Sequence, residues 1–403
     1  MSINLIATTT FGLEAVVKRE CQALGFENIK TSDGKVEFTG TEADIVKANM
    51  WLRCAGRVWV KMGTFKAVTF TELFDQTKAL PWADWIPEDG KFTVVGKSVK
   101  STLFSVSDCQ AIVKKAVVEK LKQTYHTDWF DETGASYTIQ VGILKDVVTL
   151  AIDTSGSGLH MRGYRANALD APLKETLASA MIQLSYWRKN RILLDPFCGS
   201  GTIAIEAASI ACGLVPGISR SFGFEKLLNF DRELWTELRE DAKSEVNLHR
   251  EVSITASDIS SIVVRKAEAN ALRAGLGGLL ESGNLKFSVC DARNVLPPTE
   301  TPGIIVANPP YGEQSTPRSA TVGSMMRHVA DNLKHNFAGW TAWMLTSDRH
   351  LPGEMHLKEG RKTVLFNGPL ECRFFKFDLV AGSNRRVKNR DAASDSTPSD
   401  AES

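Results

Sequence analysis

The stretch that decides the fold is LLDPFCGSGTIAIEA, Leu193 to Ala207. Arg191 to Leu194 is a short apolar run, Gly199 and Gly201 interrupt it, and from Thr202 to Cys212 the apolar residues Ile203, Ile205, Ala207, Ile210 and Ala211 recur at helical spacing. The reading is strand, tight turn, helix, a common seat for a nucleotide-like ligand. A phosphate-cradling loop would place a lysine after its second glycine, and here Thr202 follows Gly201. A dinucleotide turn would carry a third glycine where Ala204 stands, and its pyrophosphate would be repelled by Asp195 at the strand end. A cationic adenosyl ligand suits that carboxylate, with the glycines letting the backbone approach closely. S-adenosylmethionine meets this description.

Downstream, short apolar runs alternate with helical spacing, and each strand ends on a polar residue. Ser253 to Ala256 leads to Asp258, Lys286 to Cys290 to Asp291, and Gly303 to Ala307 to Asn308. Further strands are expected at Thr341 to Leu345, Thr363 to Phe366 and Arg373 to Leu379, and helices at Asp170 to Trp187, Asp231 to His249, Ser260 to Ala274 and Ser319 to Phe337. This pattern predicts an α/β, Rossmann-like domain with a mostly parallel seven-stranded sheet and its ligand at the carboxyl ends of the strands. Asp258 can accept from the ribose hydroxyls and Asp291 from the adenine amine.

Asn308-Pro309-Pro310-Tyr311 is the most informative tetrapeptide. Two prolines fix the backbone and remove two donors, leaving carbonyls for the site. The Asn308 side-chain oxygen and the Pro309 carbonyl can both accept from one exocyclic NH₂ group. That aims its lone pair at an electrophilic methyl, while Tyr311 offers a face for a planar base.

The chain has 403 residues and a net charge of +1, enough for two or three domains, and no apolar run reaches the roughly 18 to 20 residues that span a bilayer. With no leader-like N-terminus, a cytoplasmic location is expected. Seven scattered cysteines without a C-x-x-C pair argue against a disulfide framework or a zinc cluster, so no metal is expected. The near-neutral charge hides a local excess. Lys91 to Lys122 holds seven lysines against Asp108 and Glu119, a candidate polyanion footprint that includes Lys97, Lys100, Lys114 and Lys115.

In the first half, helices are expected at Leu13 to Leu24, Thr41 to Trp51, Thr71 to Leu80 and Ser107 to Tyr125. Strands are expected at Lys35 to Thr39, Arg57 to Phe65, Phe92 to Val95, Ser136 to Ile143 and Val147 to Asp153. This is an α+β binding region without a ligand turn. DTSGSGLHMRGYRANALDA, from Asp153, reads as a linker, and the chain after Gly382 as a disordered tail.

LLDPFCGSGT, the acidic strand ends and NPPY together resemble class I S-adenosylmethionine-dependent methyltransferases acting on amino nitrogens. Over residues 1 to about 383, TTTFGLEAVVKREC, DTSGSGLHMRGYR, APLKETLASAMI and RSFGFEKLLNFD extend the resemblance to the THUMP-domain bacterial guanine-N2 methyltransferases of 23S ribosomal RNA. The resemblance implies a ferredoxin-like region over 1–65 interleaved with a THUMP RNA-binding domain over 44–155, a linker at 156–170, a methyltransferase domain over 171–383 and a tail at 384–403. It implies donor contacts from Glu175, Thr176, Asp195, Phe197, Gly199, Gly201, Asp258, Asp291 and Ala292, and a target base held by Asn308, Pro309, Pro310 and Tyr311. RNA contacts are expected from the four lysines, with Arg162 and Arg165 of HMRGYR serving either RNA or domain docking.

The expected partner is 23S ribosomal RNA or a large-subunit assembly intermediate, with no membrane, and the expected state a monomer. Some members of that family carry a second methyltransferase domain. Because a short polar tail stands here instead, one modification is expected rather than two. Adenine-N6 or transfer-RNA methylation shares the same tetrapeptide, and a non-catalytic assembly factor would keep the fold without the chemistry.

Overall fold

The computed structural model describes residues 2–165, 173–228, 230–311 and 322–380. The expected tail, the end of the linker and the expected first turn of the helix from Ser319 lie outside these residues.

The first half builds one sheet from β1 (Ile3–Thr8), β2 (Glu27–Ser32), β3 (Lys35–Gly40), β4 (Arg57–Lys66), β5 (Lys91–Val99), β6 (Ser136–Leu144) and β7 (Val147–Asp153) in the order β2-β3-β1-β4-β7-β6-β5. Its helices are α1 (Glu14–Ala23), α2 (Glu42–Trp51), α3 (Phe70–Lys78) and α4 (Val106–Tyr125). Local chemistry sets their starts. Thr41 with Asp44, and Thr69 with Glu72, form capping boxes that satisfy the first free N–H groups of α2 and α3. Glu14, in the first turn of α1, accepts from the Gly12 and Gly34 amides at 2.8 and 2.9 Å, tying the helix to the β2–β3 turn. The antiparallel pairing of β4 with β7 joins the expected ferredoxin-like and THUMP regions edge to edge in a single sheet.

The second half opens with α5 (Glu175–Leu184) and continues through β8 (Leu193–Asp195), α6 (Thr202–Cys212), α7 (Arg232–Ser244), β9 (Ile254–Asp258), α8 (Ser261–Arg273), α9 (Gly277–Glu281), β10 (Leu285–Val289) and β11 (Ile304–Ala307). It ends with α10 (Val322–Asn336), β12 (Thr341–Thr346), α11 (Leu351–Glu354), β13 (Glu359–Asn367) and β14 (Leu370–Asp378). The strand order is β10-β9-β8-β11-β12-β14-β13, parallel from β10 to β12, with β14 antiparallel to both its neighbours. The expected doubly wound, mostly parallel seven-stranded sheet is what forms. Chain order reverses between β8 and β11, so Asp195 and Asn308 stand on adjacent strand ends at the switch point, where α/β sheets bind ligands.

One apolar core runs through both halves, from Leu5, Phe38 and Trp82 to Leu177, Ile205 and Phe374. Direct bonds cross between them as well: Gln183 donates to Glu20 at 2.6 Å, the Gly217 amide to the Met50 carbonyl at 3.0 Å, and the Phe224 amide to the Thr154 carbonyl at 2.8 Å.

Candidate active site

The turn after β8 is fixed from below by its neighbours. Asp195 Oδ1 accepts from the Phe197 amide at 3.1 Å, the Cys198 amide donates to the Ser257 carbonyl at 2.9 Å, and the Gly199 amide donates to Asp258 Oδ2 at 3.1 Å. The other Asp258 oxygen accepts from the Ser260 amide at 3.0 Å at the start of α8. Asp258 therefore ties two strand ends together as well as facing the ligand edge. Gly199 and Gly201 have φ of +51° and +84°, a region L side chains rarely adopt. A Cβ at Gly201 would stand 2.9 Å from Ala267 Cβ, whereas one at Gly199 would meet nothing within 4 Å. The first glycine leaves space at the edge of the sheet, and the second lets α6 pack on α8.

Asp195 is fully buried, and its Oδ2 has no hydrogen-bond partner among the described residues. Burial, with the Asp258 charge behind it, pushes this carboxyl up to about 8. An unpaired acceptor at a ligand-binding strand end is the feature a cationic, donor-rich ligand would satisfy. An adenosyl sulfonium therefore fits the residues present. Asp291, two residues past β10, is already engaged, since the Arg293 guanidinium grips both its oxygens with contacts down to 2.5 Å and holds the carboxyl below the usual range. It stays an ionised acceptor with lone pairs to spare. Ala292 beside it is buried and Phe197 packs on the smaller core of this half.

Asn308 follows β11 directly. The Tyr311 hydroxyl donates to Asn308 Oδ1, so the atom assigned to the target amine already carries one donor. Tyr311 packs on the main core, and burial raises its phenol well above the ordinary value, so the hydroxyl stays protonated and cannot serve as a base.

Of the two roles expected for Arg162 and Arg165, the structure supports docking and corrects the RNA contact. Arg162 is 7% exposed and donates to the Leu159 and Arg53 carbonyls, with its Nε 3.6 Å from Glu206. Arg165 donates at 2.7 Å to the Leu173 carbonyl and the Thr202 hydroxyl, and lies 3.2 Å from the Glu175 carboxylate. Neither side chain reaches out to RNA; both brace the linker on the ligand turn, because a buried guanidinium needs carbonyls and carboxylates that only the interior offers here. Glu175 is in turn spoken for by Arg165, and burial raises its carboxyl. Thr176 is buried beside it at the start of α5.

Glu206 escaped the sequence reading. It lies 2% exposed on α6, accepting from Tyr164 at 3.3 Å and from Ser179 while facing Arg162. Its signal was a lone carboxylate inside the apolar TIAIEAASIAC. Asn270 and Arg273 were missed too. Asn270 donates to the Ser200 carbonyl at 2.9 Å, and Arg273 links Asn270 to the Tyr164 carbonyl, so the linker and the glycine turn share supports. Lys97, Lys100, Lys114 and Lys115 are all exposed.

Comparison with known proteins agrees with this fold. Residues 162–376 match the RMKL-like methyltransferase domain, residues 4–59 the RlmL ferredoxin-like domain and residues 67–153 the THUMP domain. The chain belongs to the RMKL-like methyltransferase family. YpsC of Bacillus subtilis (strain 168), named provisionally as an RNA methyltransferase, is 44% identical over 96% of this chain and 99% of its own length. The ribosomal RNA large subunit methyltransferase K/L of Psychromonas ingrahamii (strain DSM 17664 / CCUG 51855 / 37) is 35% identical over 92% of this chain and 49% of its own length, so the chain spans about half of that relative. SMU.472, described provisionally as a methyltransferase and solved as a complex with SAH, superposes with a TM-score of 0.86 at 34% identity, covering 95% of this chain and 99% of its own. A protein from Listeria monocytogenes str. 4b F2365, described provisionally as an N6-adenine-specific DNA methylase, superposes with a TM-score of 0.87 at 41% identity over 94% and 97% of the two chains.

Within this RMKL-like fold, the turn after β8 and the Asn-Pro-Pro-Tyr segment after β11 occupy neighbouring strand ends. The described residues include no helix long and apolar enough to cross a membrane.

Proposed function

We propose that the protein methylates the exocyclic N2 amine of a guanosine in 23S ribosomal RNA, free or within a large-subunit assembly intermediate, with S-adenosylmethionine as donor. The observation that carries this reading is the placement of a buried Asp195 carboxyl with an unpartnered Oδ2 and an Asn308 acceptor on adjacent strand ends. The relatives named for large-subunit ribosomal RNA supply the substrate class.

When bound, the donor supplies a methyl group already activated by a positive sulfur. Asp195, Asp258 and Asp291 offer carboxylates to its cationic and hydroxyl-bearing parts, and Gly199 leaves room for it. Asn308 Oδ1 and the Pro309 carbonyl accept both protons of the target amine and so orient the nitrogen lone pair. The nitrogen–carbon bond would form as the sulfur–carbon bond breaks, leaving a neutral thioether, and the proton displaced from the amine held by Asn308 and Pro309 would pass to water. No strong base is required, in keeping with a Tyr311 phenol held protonated by burial. The target must leave its stack to reach this edge.

A second reading, adenine-N6 methylation, is favoured by one observation. The same tetrapeptide would hold any exocyclic amine, and the Listeria monocytogenes protein is described as an N6-adenine methylase. Tritiated methyl transfer to unmodified ribosomal RNA, transfer RNA and DNA, followed by nucleoside chromatography, separates the two. N2-methylguanosine in large-subunit RNA is expected; N6-methyladenosine would move the assignment to the second reading, and absence of label would sink both. Asn308→Ala should lower kcat by on the order of 100-fold or more, because it removes an acceptor aimed at the reacting group, while donor affinity stays unchanged. A matching drop in donor affinity would contradict the role assigned to Asn308.

A further inference from the structure

The turn that opens α1 ends against the methyltransferase half. Gly12 has φ +90°, and a Cβ there would stand 2.5 Å from the Val364 carbonyl oxygen, so the backbone of the first half presses directly on β13. Its neighbour Phe11 meets Phe366 edge to face, with ring centroids 5.8 Å apart and planes at 78°. That contact uses only part of the ring, since Phe11 remains 52% exposed, with Val364 37% and Leu370 38% exposed on the same hairpin.

This hairpin stands beside the acceptor site. Arg373 of β14 is opposite Thr346, the last residue of β12, so the tip from Asn367 to Leu370 projects beyond the carboxyl edge on which Asn308 stands. Asn367 follows Phe366 directly, and Leu365 and Cys372 of the same hairpin belong to the core on which Tyr311, the donor to Asn308, packs. Two guanidinium groups stand close by. Arg349 and Arg373 share one carboxylate, Glu371, at 3.0 and 2.5 Å, and the Arg349 side chain is 66% exposed.

We propose that Phe11 and Phe366 form a stacking platform for an unpaired nucleobase that flanks the methylated nucleotide, with Arg349 taking the adjoining phosphate. The inference rests on the reading of the protein as an RNA methyltransferase. Extruding a base uncovers the faces of its neighbours at a cost of a few kcal/mol. An aromatic ring at the rim of the acceptor site covers one such face, and every base has one, so the platform is tolerant of sequence. A half-exposed aromatic with apolar neighbours and an exposed guanidinium matches a base joined to a phosphate, whereas an apolar protein segment would gain nothing from the charge. The first half of the chain then contributes to the active site directly.

The test uses the full chain and two variants. Phe11→Leu keeps apolar volume against Phe366 and removes the aromatic face, and Phe11→Trp enlarges that face. Phe11→Leu should lower kcat/KM for unmodified 23S ribosomal RNA about tenfold, with donor affinity and Tm unchanged, and Phe11→Trp should retain or improve it. Wild-type kcat/KM in Phe11→Leu would overturn the platform, as would a parallel fall in Tm or donor affinity, which would make Phe11 a packing residue only. A separate binding measurement uses a short single-stranded RNA carrying 2-aminopurine, whose fluorescence is quenched by stacking. Quenching by the wild-type chain that weakens in Phe11→Leu supports the platform even if no methyl transfer is seen, in which case the functional reading alone fails; equal quenching by both chains overturns the platform. Arg349→Gln should flatten the salt dependence of this binding by about one unit of slope, and an unchanged slope removes the phosphate contact.

Discussion

Asp195 carries an electrostatic cost that a cationic ligand would relieve. Its carboxyl is buried beside Asp258 and pushed up to about 8, against an ordinary 3.8 for the free group. Between these values the folded protein holds a proton that the unfolded chain has released, so this group lowers stability as pH rises through that window. Asp195→Asn removes the titration. The ligand-free variant should show a flatter dependence of Tm on pH than the parent and should melt above it at pH values near 8. Parallel melting curves at acidic and mildly alkaline pH would mean that Asp195 finds a compensating partner. A cationic donor favours the ionised carboxylate, so donor affinity of the parent chain should rise toward about pH 8 with proton release, and the Asn variant should bind weakly and without that trend. Calorimetry in buffers of different ionisation enthalpy measures the proton directly.

At the scale of the element, the glycine turn separates folding from binding. Gly201→Ala must strain φ and push its methyl against Ala267 and the Phe287 ring, contacts of 2.9 and 3.1 Å, so it should cost roughly 1–3 kcal/mol of stability. Gly199→Ala meets open space and carries only the backbone penalty, about 1 kcal/mol, yet its methyl intrudes where the donor is proposed to lie. Urea midpoints should therefore order parent, Gly199→Ala, Gly201→Ala, while Gly199→Ala loses more donor affinity than stability; equal losses in both would remove the distinction. This turn was legible because an apolar strand, two glycines and an apolar helix each leave a strong local signal. β2 was not, being an edge strand with no buried residue in ENIKTS and hence no alternation to read, and the six residues of β1 passed unread as well. The helix expected to reach His249 stops at Ser244 because the Asn247 amide turns instead to the Cys212 carbonyl, a partner far off in sequence. The choice between RNA and docking for Arg162 and Arg165 stayed open for the same reason. Their carboxylates, Glu206 and Glu175, come from α6 and α5, and a basic linker looks alike whether its guanidinium groups face water or a buried acid.

Across the whole molecule, Leu159, Arg162 and Tyr164 of the linker are buried, Arg165 bonds to Thr202 of the ligand turn, and the two halves share a core, so the lysine-bearing face of the first half and the turn after β8 are held in a fixed relation. Rigid placement would make charge on the first half useful to the chemistry proposed for the second. Lys97 lies on the exposed side of edge strand β5, Lys100 just beyond it, and Lys114 and Lys115 on α4, all open to solvent. Replacing the four by Ala removes no buried contact, so Tm and donor affinity should not move. If each lysine neutralises one phosphate, the slope of log affinity against log salt should become shallower by about 3, near 0.7–0.9 per contact, and RNA binding at moderate salt should weaken without any change in the nucleoside produced. Filter binding across a salt series reads the slope, and chromatography of the labelled product reads the nucleoside. An unchanged slope would place the RNA elsewhere on the molecule. A changed product would mean that these lysines select the target base as well as hold the strand, which phosphate contacts alone cannot do.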